Sequence, residues 1–160
     1  MEIKSIRIDI PEGANLILGQ AHFIKTAEDL YEAIVGSCPG VKFGLAFSEA
    51  SGPCLIRHEG NDESLRKSAV DSLMAIGAGH CFAIFIRDAF PINLMPALRN
   101  VPEIVRFFCA TANPLEVLVC RSEQGGGIVG VIDGYAPKGI ENESQRQARL
   151  KFLRDIGYKN

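Results

Sequence analysis

The stretch HCFAIFI, residues 80–86, decides the fold because six consecutive apolar residues follow its histidine. A strand with one buried face alternates apolar and polar residues, so an unbroken run predicts a strand that is buried on both faces. We therefore expect this strand to lie in the middle of a sheet, with the other elements of the chain around it.

Shorter apolar or alternating segments predict the neighbouring strands. Residues 5–10 (SIRIDI) place Ile6, Ile8 and Ile10 on one face, as in a half-buried strand. The other predicted strands are residues 16–23, 41–47, 54–60, 115–121 and 127–133, and residues 103–114 are a further apolar segment.

Capping residues and helical spacing predict the helices. They cover residues 26–36, a segment from Asp62 to Gly77 or Gly79, a short piece from Pro91, and an amphipathic tail, residues 143–156, that we expect to pack on the sheet. Hairpin-like returns interrupt a strict β-α-β alternation. The chain is therefore predicted to be a single α+β domain, residues 1–160, with helices packed on a layered mixed β-sheet.

Composition and charge limit the classes of partner. Hydrophobic residues make up 47% and charged residues 22% of the chain, which is ordinary for a globular domain. The net charge is −2 and the basic residues are scattered, so we expect no nucleic-acid partner. No apolar run is long enough to span a bilayer, and five cysteines without a C-x-x-C pair fit a reduced, cytoplasmic chain.

The sequence contains no common catalytic or binding motif in the structural context that the motif requires. The sequence GGGIVG, residues 125–130, satisfies G-x-G-x-x-G, but these glycines precede a predicted strand instead of opening a helix, so a dinucleotide site is not indicated. A flexible loop that can approach a ligand closely is the better interpretation. The chain contains no P-loop motif and no His/Cys spacing typical of metal ligands, so we expect no metal site.

Two histidines lie within or at the edge of predicted apolar strands, His22 and His80, while His58 ends a more polar strand. Such a histidine is commonly structural, with one ring nitrogen anchored to a carbonyl group. The functional alternative is a neutral imidazole that acts as nucleophile or general base. Polar residues near predicted strand ends offer companions, although each could equally be a turn or cap residue: Glu49, Asp62, Asn93 and Asn113.

Long phrases of the sequence carry a resemblance to a known family. They include IPEGANLILGQAHFIKTAEDLYEAI, PGVKFGLAFSEASG, RHEGNDESLRKSA, AGHCFAIFIRDAFPIN, VPEIVRFFCATANPLEV and GIVGVIDGYAP. Together they resemble the adenosine-specific kinase family over essentially the whole chain. The resemblance implies a layered α/β-type fold, a homo-oligomer, binding of adenosine or AMP, and a link to a phosphorylated histidine.

With this resemblance, His22 is the favoured reactive residue and His80 its rival. Lys25 and the start of the helix near Thr26 follow His22 directly and could hold a phosphoryl group, although Lys25 would point away from His22 in a regular strand. A carboxylate, Glu49 or Asp62, could bind the ribose hydroxyls, and Asn93 or Asn113 could read the adenine edge.

Two function hypotheses follow from the sequence. The first is an enzyme of adenosine-specific phosphoryl transfer through or beside a histidine, for which Mg²⁺ is a general expectation. The second is a non-catalytic adenosine or AMP sensor, which the missing P-loop favours. A structural oligomer component without a ligand is a third interpretation.

Overall fold

The computed structural model describes residues 2–160, which form eight strands and four helices. In chain order these are β1 (Glu2–Ile8), β2 (Asn15–Ala21), α1 (Thr26–Ser37), β3 (Lys42–Ser48), β4 (Ile56–Gly60), α2 (Glu63–Ile76), β5 (Cys81–Arg87), α3 (Pro91–Leu98), β6 (Ile104–Thr111), β7 (Leu115–Arg121), β8 (Gly126–Asp133) and α4 (Glu143–Asp155).

The strands form two sheets, and the α+β class predicted from the sequence is confirmed. The larger sheet has the order β4-β3-β5-β2-β6 and the smaller one β1-β7-β8. Every pairing between these strands is antiparallel, so the mixed sheet expected from the sequence was wrong in this respect. The reason is that each helical crossover skips one position in the sheet: α1 joins β2 to β3 across β5, and α2 joins β4 to β5 across β3. The two strands that a crossover joins are therefore parallel to each other but not adjacent, and the strand between them runs antiparallel to both.

Strand β5 is the centre of the larger sheet and is buried on both faces, as its sequence predicts. Phe82, Ile84 and Ile86 pack in a cluster that includes the apolar sides of α1 and α3. Ala83 and Phe85 point the other way, into a cluster with α2 and the smaller sheet. Burying such a side chain contributes about 1.5–3 kcal/mol, so this strand fixes the two layers on either side of it.

The C-terminal helix differs from its prediction. We expected the amphipathic tail to pack on the sheet, but none of the residues of α4 is buried. The segment that leads to it is also exposed, with Tyr135 at 83% and Ile140 at 97%.

No helix among residues 2–160 combines the length and the apolar composition needed to cross a membrane.

Candidate functional site

A cavity of about 680 Å³ opens where three connecting segments meet. They are the turn between α2 and β5, the loop that follows β3, and the turn between β7 and β8. Its walls are formed by Gln20, Glu49, Ala50, Cys54, Gly77, Gly79, His80, Cys120, Ser122, Gln124, Gly125, Gly126 and Gly127. Two residues singled out from the sequence, Glu49 and His80, therefore lie in one cavity together with the glycine-rich loop.

The backbone of His80 is fixed in an uncommon conformation. Its φ is +56°, in the left-handed region that non-glycine residues rarely adopt. Hydrogen bonds hold it on both sides, because its N–H donates to the Ser48 carbonyl (2.8 Å) and its carbonyl accepts from the Ala21 N–H (2.9 Å). Such strain persists where the surrounding structure imposes it, and it often marks a functional position.

The His80 imidazole is half-buried and stacks on Phe47, with ring centroids 5.9 Å apart and an interplanar angle of 17°. Phe47 itself is fully buried, so it is a rigid support for the ring. Within residues 2–160, the polar contacts include no hydrogen bond to either ring nitrogen of His80. Neither ring nitrogen is therefore held by another protein group, and His80 lines the cavity.

Glu49 presents one free carboxylate oxygen. Its Oε2 accepts hydrogen bonds from Arg57 Nη2 (2.9 Å) and from the Leu55 N–H (3.3 Å). Because Arg57 neutralises the charge, an anionic ligand would meet little repulsion from this carboxylate. The other oxygen, Oε1, is not engaged in these bonds and can accept a hydroxyl hydrogen.

Arg121 ties the β7–β8 hairpin to the turn that carries His80. Its Nη1 donates to the Gly77 carbonyl (2.6 Å) and its Nη2 to the Ile76 carbonyl (2.7 Å), which satisfies the free carbonyls at the C-terminal end of α2. The backbones of the α2–β5 turn and of the β7–β8 hairpin come close together at this contact. A Cβ on Gly126 would lie 2.5 Å from the Gly77 oxygen and 2.6 Å from Arg121 Nη1, so only glycine fits at position 126.

The glycine-rich loop predicted from the sequence forms part of the cavity wall. Gly125 and Gly127 line the cavity, and a Cβ on either would meet no other atom within 4 Å. Their lack of side chains leaves room for a ligand beside the backbone. As predicted, these glycines enter a strand, β8, and do not open a helix.

His22 lies in a different environment from the one we predicted. Strand β2 ends at Ala21, and His22 is exposed in the turn that follows it, so the expected position inside an apolar strand was wrong. Within residues 2–160, His22 is not among the residues that line the 680 Å³ cavity.

Lys25 is engaged by two carboxylates. Its Nζ lies 3.0 Å from Asp29 and 3.1 Å from Glu103, which is almost fully buried. Hydrogen bonds to Asp29 and Glu103 raise the pKa of Lys25, and hydrogen bonds with Glu103 and Lys25 lower the pKa of Asp29. Lys25 is thus already paired with two carboxyl groups, which leaves it less available to a phosphate at this helix start.

The remaining predicted binding residues are placed apart from the cavity. Asp62 is the N-cap of α2, accepting from the Leu65 N–H (3.0 Å), and Asn93 accepts from the Phe90 N–H (2.8 Å) at the start of α3. Asn113 lines a separate cavity of about 620 Å³ with Phe90 and Arg99. Asp62 and Asn93 thus have the cap role that was their structural alternative.

Three polar residues of the cavity were missed by sequence reasoning: Gln20, Ser122 and Gln124. Gln20 gave a usable signal, because it is the single polar side chain within the run LILGQA, residues 16–21. Ser122 and Gln124 gave none, since polar residues in a hairpin turn are ordinary. Their position beside His80 depends on the contact between the two sheets.

The cavity residues do not form a magnesium site. Among residues 2–160, no three His, Cys, Asp or Glu side chains cluster as metal ligands. Glu49 is the one carboxylate in the cavity wall, and Arg57 occupies one of its oxygens. Mg²⁺ bound by proteins uses one or two carboxylates and several waters or phosphates, so this wall offers too few ligands to hold the ion by itself.

Comparison with known proteins places the chain in a family. The family model described as "Adenosine specific kinase" matches residues 6–159. The chain belongs to the adenosine-specific kinase family. Membership gives the protein an adenosine-related function of the kinase or transferase kind, and it confirms the resemblance seen in the sequence. A search of curated proteins finds no match.

A solved structure of similar sequence supports the fold of this family member. The chain is 39% identical to the PH1918 protein from Pyrococcus horikoshii OT3, known from its crystal structure, with a TM-score of 0.95. The match covers 99% of this chain and 98% of the other. The two molecules therefore share one architecture along their whole length.

Proposed function

We propose that this protein binds adenosine or AMP in the cavity beside His80, and that His80 carries the phosphoryl group during an adenosine-specific transfer. The observation that carries the proposal is the His80 ring, which has both nitrogens free inside a cavity that also holds a free carboxylate oxygen and an open glycine-rich wall. The family supplies adenosine as the ligand class.

Each wall of the cavity suits a different part of such a ligand. Glu49 Oε1 accepts hydrogen bonds from the ribose hydroxyls. Ser122, Gln124 and the backbone beside Gly125 and Gly127 supply neutral hydrogen-bond donors for phosphate oxygens. Neutral donors fit a site that binds both uncharged adenosine and anionic AMP.

The transfer would proceed in two displacements. The lone pair of a neutral His80 ring nitrogen attacks the phosphorus of a phosphoanhydride donor, forming an N–P bond while the P–O bond to the leaving group breaks. The 5′-hydroxyl oxygen of adenosine then attacks the same phosphorus, the N–P bond breaks, and the hydroxyl proton passes to solvent. The products are AMP and a neutral His80.

His80 replaces His22 as the favoured reactive residue in this proposal. The sequence favoured His22 because Lys25 and a helix start follow it, but Lys25 is paired with Asp29 and Glu103. The exposed His22 ring, whose neighbouring lysine is already paired, lacks both the free donors and the enclosure that phosphoryl transfer requires. His22 and Lys25 therefore have no role in this mechanism.

We further propose that the protein acts in the cytoplasm as a homo-oligomer, without nucleic-acid or membrane partners. The five free cysteines and the scattered basic residues support this environment. Any Mg²⁺ would enter with the phosphates of the donor, because the cavity wall supplies a single free carboxylate oxygen.

Incubation with adenosine and a donor labelled in its terminal phosphate tests the proposal. We expect labelled AMP from the native protein and from His22→Ala, and none from His80→Ala. Loss of product in His22→Ala alone would overturn the assignment. Binding of AMP without any turnover by the native protein would instead establish the sensor function.

A further inference from the structure

The C-terminal segment, residues 135–160, is an arm that has no place in the core of its own chain. Helix α4 has no buried residue, and Ile140 in the connection is 97% exposed. Phe152 (59% exposed) and Ile156 (46%), spaced four residues apart, leave an apolar stripe open on one side of the helix.

An isolated helix of this size is marginal in water. Helices shorter than about 12–15 residues gain too few hydrogen bonds to offset nucleation, and α4 has 13 residues. A capping box between Asn142 and Gln145 strengthens its start but adds only about 1 kcal/mol. Stable folding of the arm therefore needs a surface that covers Phe152 and Ile156.

Charge indicates a second copy of this chain as that surface. The arm contains six Lys or Arg and three Asp or Glu, so it carries +3. Since the whole chain carries −2, the other 134 residues carry −5. A basic arm on an acidic body is complementary between copies, which steers association and disfavours contact between two arms.

The groove between α1 and β4 has the matching chemistry. It encloses about 390 Å³ and is lined by Ile24, Ala27, Glu28, Ile56, Arg57, His58 and Glu59. Arg57 is the one Lys or Arg among these residues and is paired with Glu49, so Glu28 and Glu59 are the charged groups that a basic partner would meet. The neighbouring Phe23 and Leu55 are 52% and 51% exposed, which extends the apolar surface beside it. In the part of the chain that the structure describes, Glu28 and Glu59 form no ion pair, so both are open to a cationic helix.

We propose that α4 of one copy packs into the α1–β4 groove of a second copy, with Phe152 and Ile156 against Ile24 and Ile56, and with basic residues of the arm facing Glu28 and Glu59. This inference names the surfaces of the homo-oligomer proposed above. It does not depend on the adenosine site.

Size-exclusion chromatography with light scattering, run on the full chain and on paired variants, tests whether the arm joins two copies. We expect the native protein to elute as an oligomer and Phe152→Asp/Ile156→Asp to elute as a monomer of 17.4 kDa with an unchanged core. Ser144→Asp/Gln147→Asp adds the same two negative charges on another face of α4 and should stay oligomeric. A monomeric native protein would overturn both the oligomer and the arm. An oligomeric apolar-face variant would overturn the arm alone.

A second pair of variants tests the groove. Glu28→Lys should weaken self-association about tenfold or more, because it places a cation against the arm. Glu12→Lys makes the same charge change in the turn between β1 and β2, outside the groove, and should leave the association unchanged. Equal effects of the two variants would show that the arm binds elsewhere, and the groove assignment would be wrong.

Discussion

Arg121 Nη1 lies 2.6 Å from the carbonyl oxygen of Gly77, which joins strand β7 of the smaller sheet to the end of α2. Gly77 stands three residues before His80, and Arg121 is flanked by Cys120 and Ser122, so residues on both sides of this contact line the cavity. The Arg121 guanidinium and the backbone bridge between Ala78 and Gly126 therefore hold the two walls of the cavity together.

Replacing Arg121 should loosen the cavity. In Arg121→Met, the Gly77 and Ile76 carbonyls lose their charged donor, and we expect a loss of about 1–3 kcal/mol in the free energy of unfolding. AMP affinity should fall as well, because the His80 turn loses its Arg121 hydrogen bonds to the β7–β8 hairpin and keeps the backbone bridge between Ala78 and Gly126. Urea unfolding and calorimetry measure the two effects. Lys67→Met, on the exposed side of α2 and outside the cavity, should change neither appreciably.

Two glycines of β8 provide a matched test of the cavity. A Cβ at Gly127 or Gly130 meets no atom within 4 Å, so Gly127→Ala and Gly130→Ala should both fold with nearly native stability. Gly127 lines the cavity and Gly130 does not, so only Gly127→Ala should weaken AMP binding. Equal AMP affinities of the two variants, measured by calorimetry, would place the ligand elsewhere.

The fold was more predictable from the sequence than the site. Local patterns such as the run at residues 80–86 and the caps at Asp62 and Gly77 identify strands and helix ends, because they reflect burial and backbone geometry. The antiparallel order depends on which strand each crossover skips, and the exposure of α4 depends on whether a distant part of the chain offers it a surface. Neither the strand order nor the exposure of α4 can be recognised from a short stretch of the sequence. His80 and Gln124 come to line one cavity only after both sheets form, so their grouping could not be predicted.

Asp62 should contribute to stability and not to ligand binding. Its side chain accepts the Leu65 N–H, and this bond lowers its pKa. Asp62→Ala should lose about 1 kcal/mol, typical of an N-cap, with AMP affinity unchanged.

The contribution of Asp62 should also depend on pH. Because its folded pKa is depressed, its stabilisation is present above the unfolded pKa and is lost as the pH falls through the folded pKa. The stability difference between the native protein and Asp62→Ala should therefore shrink below about pH 4. Urea unfolding at pH 7 and pH 3 measures it, and a constant difference would contradict the charge-based part of this account.

The rates at which the cysteines are modified should show whether AMP occupies the cavity. Cys54 is exposed at the cavity wall, whereas burial raises the pKa of Cys81 to about 11 and of Cys109 to about 12. Iodoacetamide at pH 8 should therefore modify Cys54 well before Cys81 and Cys109. AMP should slow the modification of Cys54, as peptide mass mapping would show. Unchanged labelling at saturating AMP would mean that the cavity stays empty.

The chain has three histidines, so one NMR titration tests the central claim. In protein labelled at the imidazole nitrogens, each ring gives its own signals, which His22→Gln, His58→Gln and His80→Gln variants assign. Addition of AMP should shift the His80 signals and leave those of His22 and His58 in place. Shifts confined to His22 or His58, or saturating AMP binding with an unmoved His80, would contradict the proposed site.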